Sequence, residues 1–157
     1  MPNGAKGNRK LPTKVPAGPA VDAWVQVAHA YHRIARRLEQ ALVPHGLTLA
    51  QFEVLARLHF DGPMKQNDLA QLLLVSKGNV CGLIDRLETA GLVERRTDPT
   101  DRRANRLILP DSALSLLAAA LPDHLAIIRE RIGVLDRTAQ RTFHELAKQV
   151  SDAAERD

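Results

Sequence analysis

The sequence has few aromatic residues, a single cysteine and no long apolar run. Aromatic side chains make up 3% of the 157 residues, which argues against a base-stacking surface for single-stranded nucleic acid. The one cysteine, Cys81, excludes an intrachain disulfide framework and is typical of a reducing cytoplasm. No apolar run approaches the roughly 20 residues that cross a bilayer. We therefore expect a cytoplasmic protein with no membrane span.

Signatures of catalysis and of metal binding are also missing. His29 and His32 lie three residues apart, but no cysteine and no second His–carboxylate set follows at zinc spacing. The His144-Glu145 pair lacks the second histidine of the metalloprotease motif, and no nucleophile elbow or phosphate-binding glycine loop is present. The sequence therefore predicts a protein that is not an enzyme and has no metal and no cofactor.

The positive charge is confined to the N-terminal segment. The chain carries a net charge of +4, and residues 1–20 hold four basic residues and no acidic one, so residues 21–157 are formally neutral. This segment is rich in Pro, Gly and Lys without periodicity, which predicts a disordered basic tail. Its role is either that of a solubilising extension or that of extra phosphate contacts.

Long helices are predicted at both ends of the remaining chain. Apolar residues recur every three or four positions over 21–43, which indicates an amphipathic helix: Trp24, Ala28, Tyr31, Ala35, Leu38 and Leu42. Thr48 is suited to cap a second helix. Residues 111–156 are helical in pattern, with an interruption at Pro122 that predicts a bend and with Asp136 as a cap between two helices.

Two short helices joined by a tight turn occupy the middle of the sequence. The first covers 66–74 and the second runs from Lys77 to about Ala90, with Ser76 as its N-cap and Gly91 as its terminator. A strand over 92–97, a polar turn and a strand over 104–109 follow. Two helices followed by a basic-tipped hairpin make a winged helix-turn-helix, so the predicted fold is mainly α with a small β wing.

The second short helix has two different sides. Val80, Leu83, Ile84 and Leu87 share the predicted core side. The opposite side carries Gly78, Asn79, Gly82, Asp85, Arg86 and Thr89. Each exposed helical glycine costs up to about 1 kcal/mol relative to Ala, which favours close approach to another surface such as a DNA groove over merely tolerated surface glycines.

Residues 64–109 resemble the DNA-binding region of MarR-family transcriptional regulators. The resemblance is carried by the segments VSKGNV, LIDRLETAGLVERR and DPTDRRA, and it extends through GLTLAQFEVLARL to about residues 21–150. It implies a single domain over 21–157 that forms a homodimer. Helices within about 21–43 and 111–156 would build the dimer, and about 47–109 would form the winged helix-turn-helix.

The resemblance also implies which residues bind DNA. The recognition helix would enter the major groove and the wing would reach the minor groove, with the arginines of the wing aimed by an aspartate. The candidate DNA-binding residues are Ser76, Lys77, Gly78, Asn79, Gly82, Arg86, Asp101, Arg102 and Arg103. The sequence departs from the family at Leu74, where Gly is frequent, at Gly82, where Arg or another polar residue is frequent, and at Cys81, where Thr or Ser is frequent.

Regulators of this family usually respond to small aromatic or phenolic molecules. Trp24, Tyr31 and His32 combine apolar bodies with polar edges and are candidates to line an effector pocket. The alternative is that Trp24 and Tyr31 only pack in the dimer, since their spacing is that of a packing stripe.

The sequence thus predicts a homodimeric regulator, a repressor, that binds a pseudo-palindromic operator in double-stranded DNA and is released by a small ligand. Two alternatives remain open. One is a winged-helix protein-interaction module without operator binding. The other is a redox-responsive regulator that acts through Cys81, although a half-buried cysteine that only packs is the preferred interpretation of that residue.

Overall fold

The computed structural model describes residues 18–73, 76–98 and 105–154, with the backbone alone at Lys77. The elements in chain order are α1 (Pro19–Leu42), a 3₁₀ turn (Val43–His45), α2 (Leu49–Phe60), β1 (Met64–Lys65), α3 (Gln66–Leu72), α4 (Lys77–Thr89), β2 (Glu94–Thr97), β3 (Asn105–Ile108), α5 (Asp111–Ile132) and α6 (Arg137–Ala154). A mostly helical chain with one small sheet confirms the predicted fold class. The chain divides into two compact units after Arg33, within α1. The prediction of a single domain over 21–157 stays a prediction.

The first helix begins earlier than the sequence analysis expects. Residues 1–17 of the predicted tail lie outside the described residues, but Pro19 and Ala20 already belong to α1. Proline is favoured at a first helical position because it needs no hydrogen-bond acceptor there and its φ is already helical. The prediction that the tail extends to residue 20 is therefore wrong.

Local capping sets the other helix ends. The Thr48 hydroxyl accepts a hydrogen bond from the backbone N–H of Gln51 at 3.2 Å, and the Gln51 side chain accepts one from the N–H of Thr48 at 2.9 Å, which closes a capping box. The Asp136 carboxylate accepts the N–H of Ala139 at 2.8 Å before α6. Gly91 follows α4 with a φ of 67°, a conformation that suits glycine. The caps predicted at these positions are confirmed.

The sheet has one strand more than the sequence predicts. The strand order is β1-β3-β2, all antiparallel, with Met64 opposite Leu107 and Arg95 also opposite Leu107 from the other side. Two residues are too few to produce an alternating pattern, so β1 was not detectable from the sequence. The pairing of β1 with β3 joins the segment just before α3 to the base of the wing.

The core of the unit from Ile34 onward gathers α2, α3, α4, β3 and α5. The predicted core side of α4 is confirmed, because Val80, Leu83, Ile84 and Leu87 are all buried. Leu72, an apolar residue of the helix predicted over 66–74, is 44% exposed. It is the last residue of the helix, so it lies beyond the turn that packs against the core.

Helix α5 runs through Pro122 without ending, and the bend predicted at this proline stays a prediction. A proline removes one backbone hydrogen bond, and the helical turns on both sides persist. By length and composition alone α5 would suffice to cross a membrane, which the sequence analysis did not anticipate. This is a weak indication, since core helices of other proteins pass the same test, and α5 buries Ala113, Leu117 and Ala120 against the core.

Candidate nucleic-acid interface

The N-terminal end of α4 is exposed and begins at a capping residue. The Ser76 hydroxyl accepts a hydrogen bond from the backbone N–H of Asn79 at 3.3 Å, as the sequence predicts. Gly78 and Asn79 are exposed in the first turn, and Arg86 is exposed two turns further along. The structure therefore brings Gly78, Asn79, Gly82 and Arg86 together along one side of α4, with Ser76 at its start.

Packing within the chain does not require the two glycines of this side. A Cβ built on Gly78 would meet nothing within 4 Å, and one on Gly82 would meet only Nη1 of Arg86 at 3.7 Å, an ordinary contact. Neither glycine has a positive φ. The reason for a small residue at either position must therefore lie outside the described part of the chain, or the glycines are simply tolerated.

Replacing Gly78 by Ala separates these two explanations. The variant is expected to be more stable by about 0.5–1 kcal/mol, because alanine costs less backbone entropy in a helix. It is expected at the same time to bind DNA more weakly, because a methyl group would prevent close approach of the helix. Thermal unfolding and a duplex-binding titration measure the two effects. Unchanged DNA affinity would mean that the glycine is merely tolerated.

The middle of α4 is joined to the wing by an ion-pair cluster that the sequence analysis missed. Arg95 on β2 pairs with Asp85 at 2.5 Å and with Glu88, and it also donates to the Gln66 side chain at 3.3 Å. Burial opposes the charge of Arg95, but its hydrogen bonds to Asp85 and Glu88 outweigh this effect, so the pKa of Arg95 is raised above its usual value. No sequence pattern links residues that lie on three different elements.

Cys81 is exposed, which contradicts the expectation that it is half-buried and packs. It lies at the border between the core side and the exposed side of α4, where a small side chain remains accessible. Its Sγ is 3.9 Å from Oδ2 of Asp85, a weak contact between a thiol and a carboxylate.

We expect Cys81→Ser to keep the fold and the DNA affinity. Serine is nearly the same size, and an exposed position adds no desolvation cost for its hydroxyl. The measurements are thermal unfolding and duplex binding before and after peroxide. If peroxide weakens binding by the wild type and leaves the serine variant unaffected, Cys81 is a redox switch and the expectation fails.

The tip of the wing, with Asp101, Arg102 and Arg103, lies outside the described residues. Its base is described and contains Asp98, which is 1% exposed and forms an ion pair with Nε of Arg106 at 2.9 Å. The sequence pattern predicts a polar turn at Asp98. A buried carboxylate is stable only when it is paired, so this residue anchors the hairpin.

The three candidates for an effector pocket on α1 are exposed. Trp24 and Tyr31 are 66% and 62% exposed, and the rings of Tyr31 and His32 meet edge to face with centroids 5.6 Å apart. Their role as pocket residues stays a prediction.

A cavity of about 310 Å³ lies among α2, the end of α3 and α5. His124 of α5 stacks on Phe52 of α2 with ring centroids 4.2 Å apart. Its Nδ1 is buried without a hydrogen-bond partner among the described residues, and burial lowers the pKa of His124. Burial also raises the pKa of Glu53, which lines the same cavity. No sequence pattern identifies these groups, because they come from separate helices.

Apolar side chains form an exposed face along α6. Phe143, Leu146 and Val150 are 44%, 55% and 68% exposed, and none of the residues of α6 is buried. The opposite side of the helix is polar, with Arg137, Arg141 and His144. An amphipathic helix with no buried face is incomplete in a single chain.

No group of three or more His, Cys, Asp or Glu side chains able to hold a metal ion occurs among the described residues. His29 and His32 accordingly have no third ligand of these types beside them in the described part of the chain.

The family is established by comparison with known proteins. The model of the MarR family matches residues 45–104. The chain is 30% identical over 138 residues to the transcriptional repressor NicR of Pseudomonas putida, covering 85% of this chain and 87% of NicR. It is 29% identical over 127 residues to the transcriptional regulator MhqR of Bacillus subtilis, covering 81% of this chain and 88% of MhqR. The chain therefore belongs to the MarR family of winged-helix transcriptional regulators, whose relatives named here are regulators and not enzymes.

Solved structures agree with this assignment. AbsC, a MarR-family transcriptional regulator of Streptomyces coelicolor, superimposes with a TM-score of 0.83 at 26% identity, over 92% of this chain and 100% of AbsC. BpsR of Bordetella bronchiseptica, whose DNA binding is regulated by 6-hydroxynicotinic acid, superimposes with a TM-score of 0.78 at 25% identity, over 88% of this chain and 99% of BpsR.

Proposed function

We propose that this protein is a cytoplasmic transcriptional repressor that binds a pseudo-palindromic operator in double-stranded DNA as a homodimer. The observation that carries the proposal is the exposed side of α4, where the Ser76 cap, two glycines without an internal packing role, Asn79 and Arg86 form one surface. A helix with such a side fits a major groove, since small residues permit close approach and polar ones contact bases and phosphates.

The wing is proposed to supply the second DNA contact. Lys77 at the start of α4 and Arg102 and Arg103 at the wing tip are proposed to contact DNA, with Asp101 orienting an arginine. Guanidinium groups suit a narrow minor groove because they are planar and weakly hydrated, and because the potential of the groove is negative. The ion pair of the buried Asp98 with Arg106 supports this part by anchoring the hairpin.

Dimerisation is proposed to use α1, α5 and α6. The exposed apolar face of α6 supports it, because such a face is stable in water only when another surface covers it. A homodimer would also place two recognition helices on two half-sites, which matches the symmetry of a palindrome.

Release of the operator is proposed to follow binding of a small aromatic or phenolic ligand. Trp24, Tyr31 and His32 remain candidates for its pocket. The cavity beside Phe52 and His124 offers a second position, since its volume of about 310 Å³ suits a small aromatic molecule and it combines apolar walls with polar groups. The regulation of BpsR by 6-hydroxynicotinic acid supports this class of effector.

The alternative is a winged-helix module that binds protein instead of DNA. It is favoured by the charge of α4, where Lys77 and Arg86 are balanced by Asp85 and Glu88. A redox-responsive regulator that acts through the exposed Cys81 is a second alternative.

An electrophoretic shift of the duplex upstream of the chain's own gene tests the proposal. We expect specific retardation that survives excess unrelated duplex and is relieved by a phenolic or aromatic carboxylate ligand. Retardation of neither specific nor unrelated duplex would favour the protein-interaction alternative. Relief by peroxide would favour the redox alternative.

A further inference from the structure

Arg95 ties three elements of the winged helix together. Its Nη2 lies 2.5 Å from Oδ1 of Asp85 on α4 and 3.3 Å from Oε1 of Gln66 on α3, and its Nη1 pairs with Oε2 of Glu88. The backbone N–H of Arg95 also donates to Oε1 of Glu88 at 3.3 Å. The Arg95 side chain is only 21% exposed, so these contacts fix the base of β2 against α4.

The partners of Arg95 lie where negative charge is unfavourable for DNA binding. At about 100° per residue, Asp85 falls in the middle of the exposed side of α4, close to Gly78 and Gly82, and Glu88 falls at its edge. Unpaired carboxylates there would face the phosphates and repel them. Arg95 supplies the compensating charge, since a guanidinium is always protonated in a protein near neutral pH.

The neighbouring Arg96 differs from Arg95 in every contact. Successive side chains of a strand point to opposite faces, and Arg96 is 66% exposed and pairs with Glu94 on its own strand at 2.8 Å. Only the first arginine of the pair in β2 is therefore tied to α4. A guanidinium suits this position because its planar fork reaches several acceptors at once, whereas the ammonium of lysine is a single point charge.

We propose that Arg95 is the positioning residue of the DNA-binding surface. It holds the wing against α4 and neutralises Asp85 and Glu88, so that the side of α4 that carries these two carboxylates can approach phosphates. It acts through these two residues and does not itself contact DNA. The proposal rests on the proposed DNA-binding function.

The test compares Arg95→Met with Arg57→Met in the full chain. Arg57 is a surface arginine of α2 paired with Asp61 at 3.3 Å, so its loss removes the same charge outside α4 and outside the helices proposed for the dimer. With a labelled duplex from upstream of the chain's own gene, Arg95→Met is expected to bind roughly 30-fold more weakly, which is between about fivefold and sixfold for each of the two subunits of a dimer. Arg57→Met is expected to stay within about twofold of the wild type. Equal affinity of the two variants would overturn the proposal.

A carboxylate-free background separates positioning from direct contact. In a chain carrying Asp85→Asn and Glu88→Gln, the further change Arg95→Met is expected to weaken binding by no more than about threefold, because the repulsion that it would expose is gone. The same 30-fold loss in both backgrounds would mean that Arg95 contacts DNA itself. That result would overturn the proposal.

Hydrogen exchange tests, in the absence of DNA, whether Arg95 holds the wing against α4. Amides of β2 and β3 are expected to exchange faster in Arg95→Met than in Arg57→Met, with far-UV circular dichroism unchanged, because the wing has lost its anchor on α4. Unchanged exchange would overturn the positioning role whatever the duplex titration gives. If the wild type binds no duplex and β2 and β3 still exchange faster in Arg95→Met, the proposed DNA-binding function is contradicted, and the neutralising role of Arg95 is removed with it. The mechanical role of Arg95, which is to hold the wing against α4, would still be supported.

Discussion

Replacing Phe143 by Asp is expected to convert the proposed homodimer into monomers at micromolar concentration. Phe143 belongs to the apolar face of α6, which has no partner within the described chain. In a dimer the change would bury two carboxylates without compensating charges, each at a cost of about 2 kcal/mol or more, so the dissociation constant should rise by roughly 1000-fold. Sedimentation velocity measures the assembly, and far-UV circular dichroism reports whether the helices remain.

The matched control is His144→Asp. His144 is the next residue of the same helix, is 74% exposed and lies on the polar side with Arg141. The control introduces the same carboxylate and is expected to remain dimeric. A wild-type protein that sediments as a monomer, or a Phe143→Asp variant that stays dimeric, would exclude α6 from the interface. Operator affinity should fall with the dimer, because a single half-site loses the binding energy of the second subunit.

Arg103→Ala is expected to weaken specific and non-specific DNA binding together. A guanidinium in the minor groove acts mainly through its charge, so its loss does not depend on sequence. A dimer loses two such contacts, and at about 0.9 per neutralised phosphate the slope of log affinity against log salt should become shallower by roughly 1.8. A salt titration with operator and unrelated duplexes measures this directly.

Two further variants calibrate the wing experiment. Asn79→Ala on α4 should mostly erode discrimination between bases and leave the salt slope unchanged. Asp101→Ala should lose less affinity than Arg103→Ala, since the arginine remains but is less well aimed. An unchanged slope for Arg103→Ala would remove the wing tip from the mechanism and favour the protein-interaction alternative.

Local signals in the sequence predicted the winged helix because its parts are specified locally. Thr48, Ser76 and Asp136 are caps whose hydrogen bonds involve residues three positions away, and Gly91 ends α4 by its own φ. The buried side of α4 follows from helical periodicity alone. Strand β1 could not be predicted from the sequence, since its two residues form a strand only by pairing with β3.

The parts of the candidate site that were missed depend on distant residues. Arg95 belongs to a segment whose sequence predicts only a basic strand. The packing of β2 on α4 brings Arg95 to Asp85 and Glu88. Cys81 was expected to pack because it borders the core side of its helix, but the neighbouring elements leave it exposed. Exposure at such a border depends on which element covers it, and a helical pattern does not contain that information.

Local sequence signals are sufficient for the mainly helical class, the order of the elements, most helix ends and the exposed side of α4, because caps, glycines and apolar periodicity act within a few residues of each other. The tertiary structure alone decided the third strand, the ion-pair cluster of Arg95, the buried Asp98 and the cavity at His124. Each of these joins side chains from separate elements. Their distances depend on how the helices and the sheet pack, and charge and burial follow from those distances.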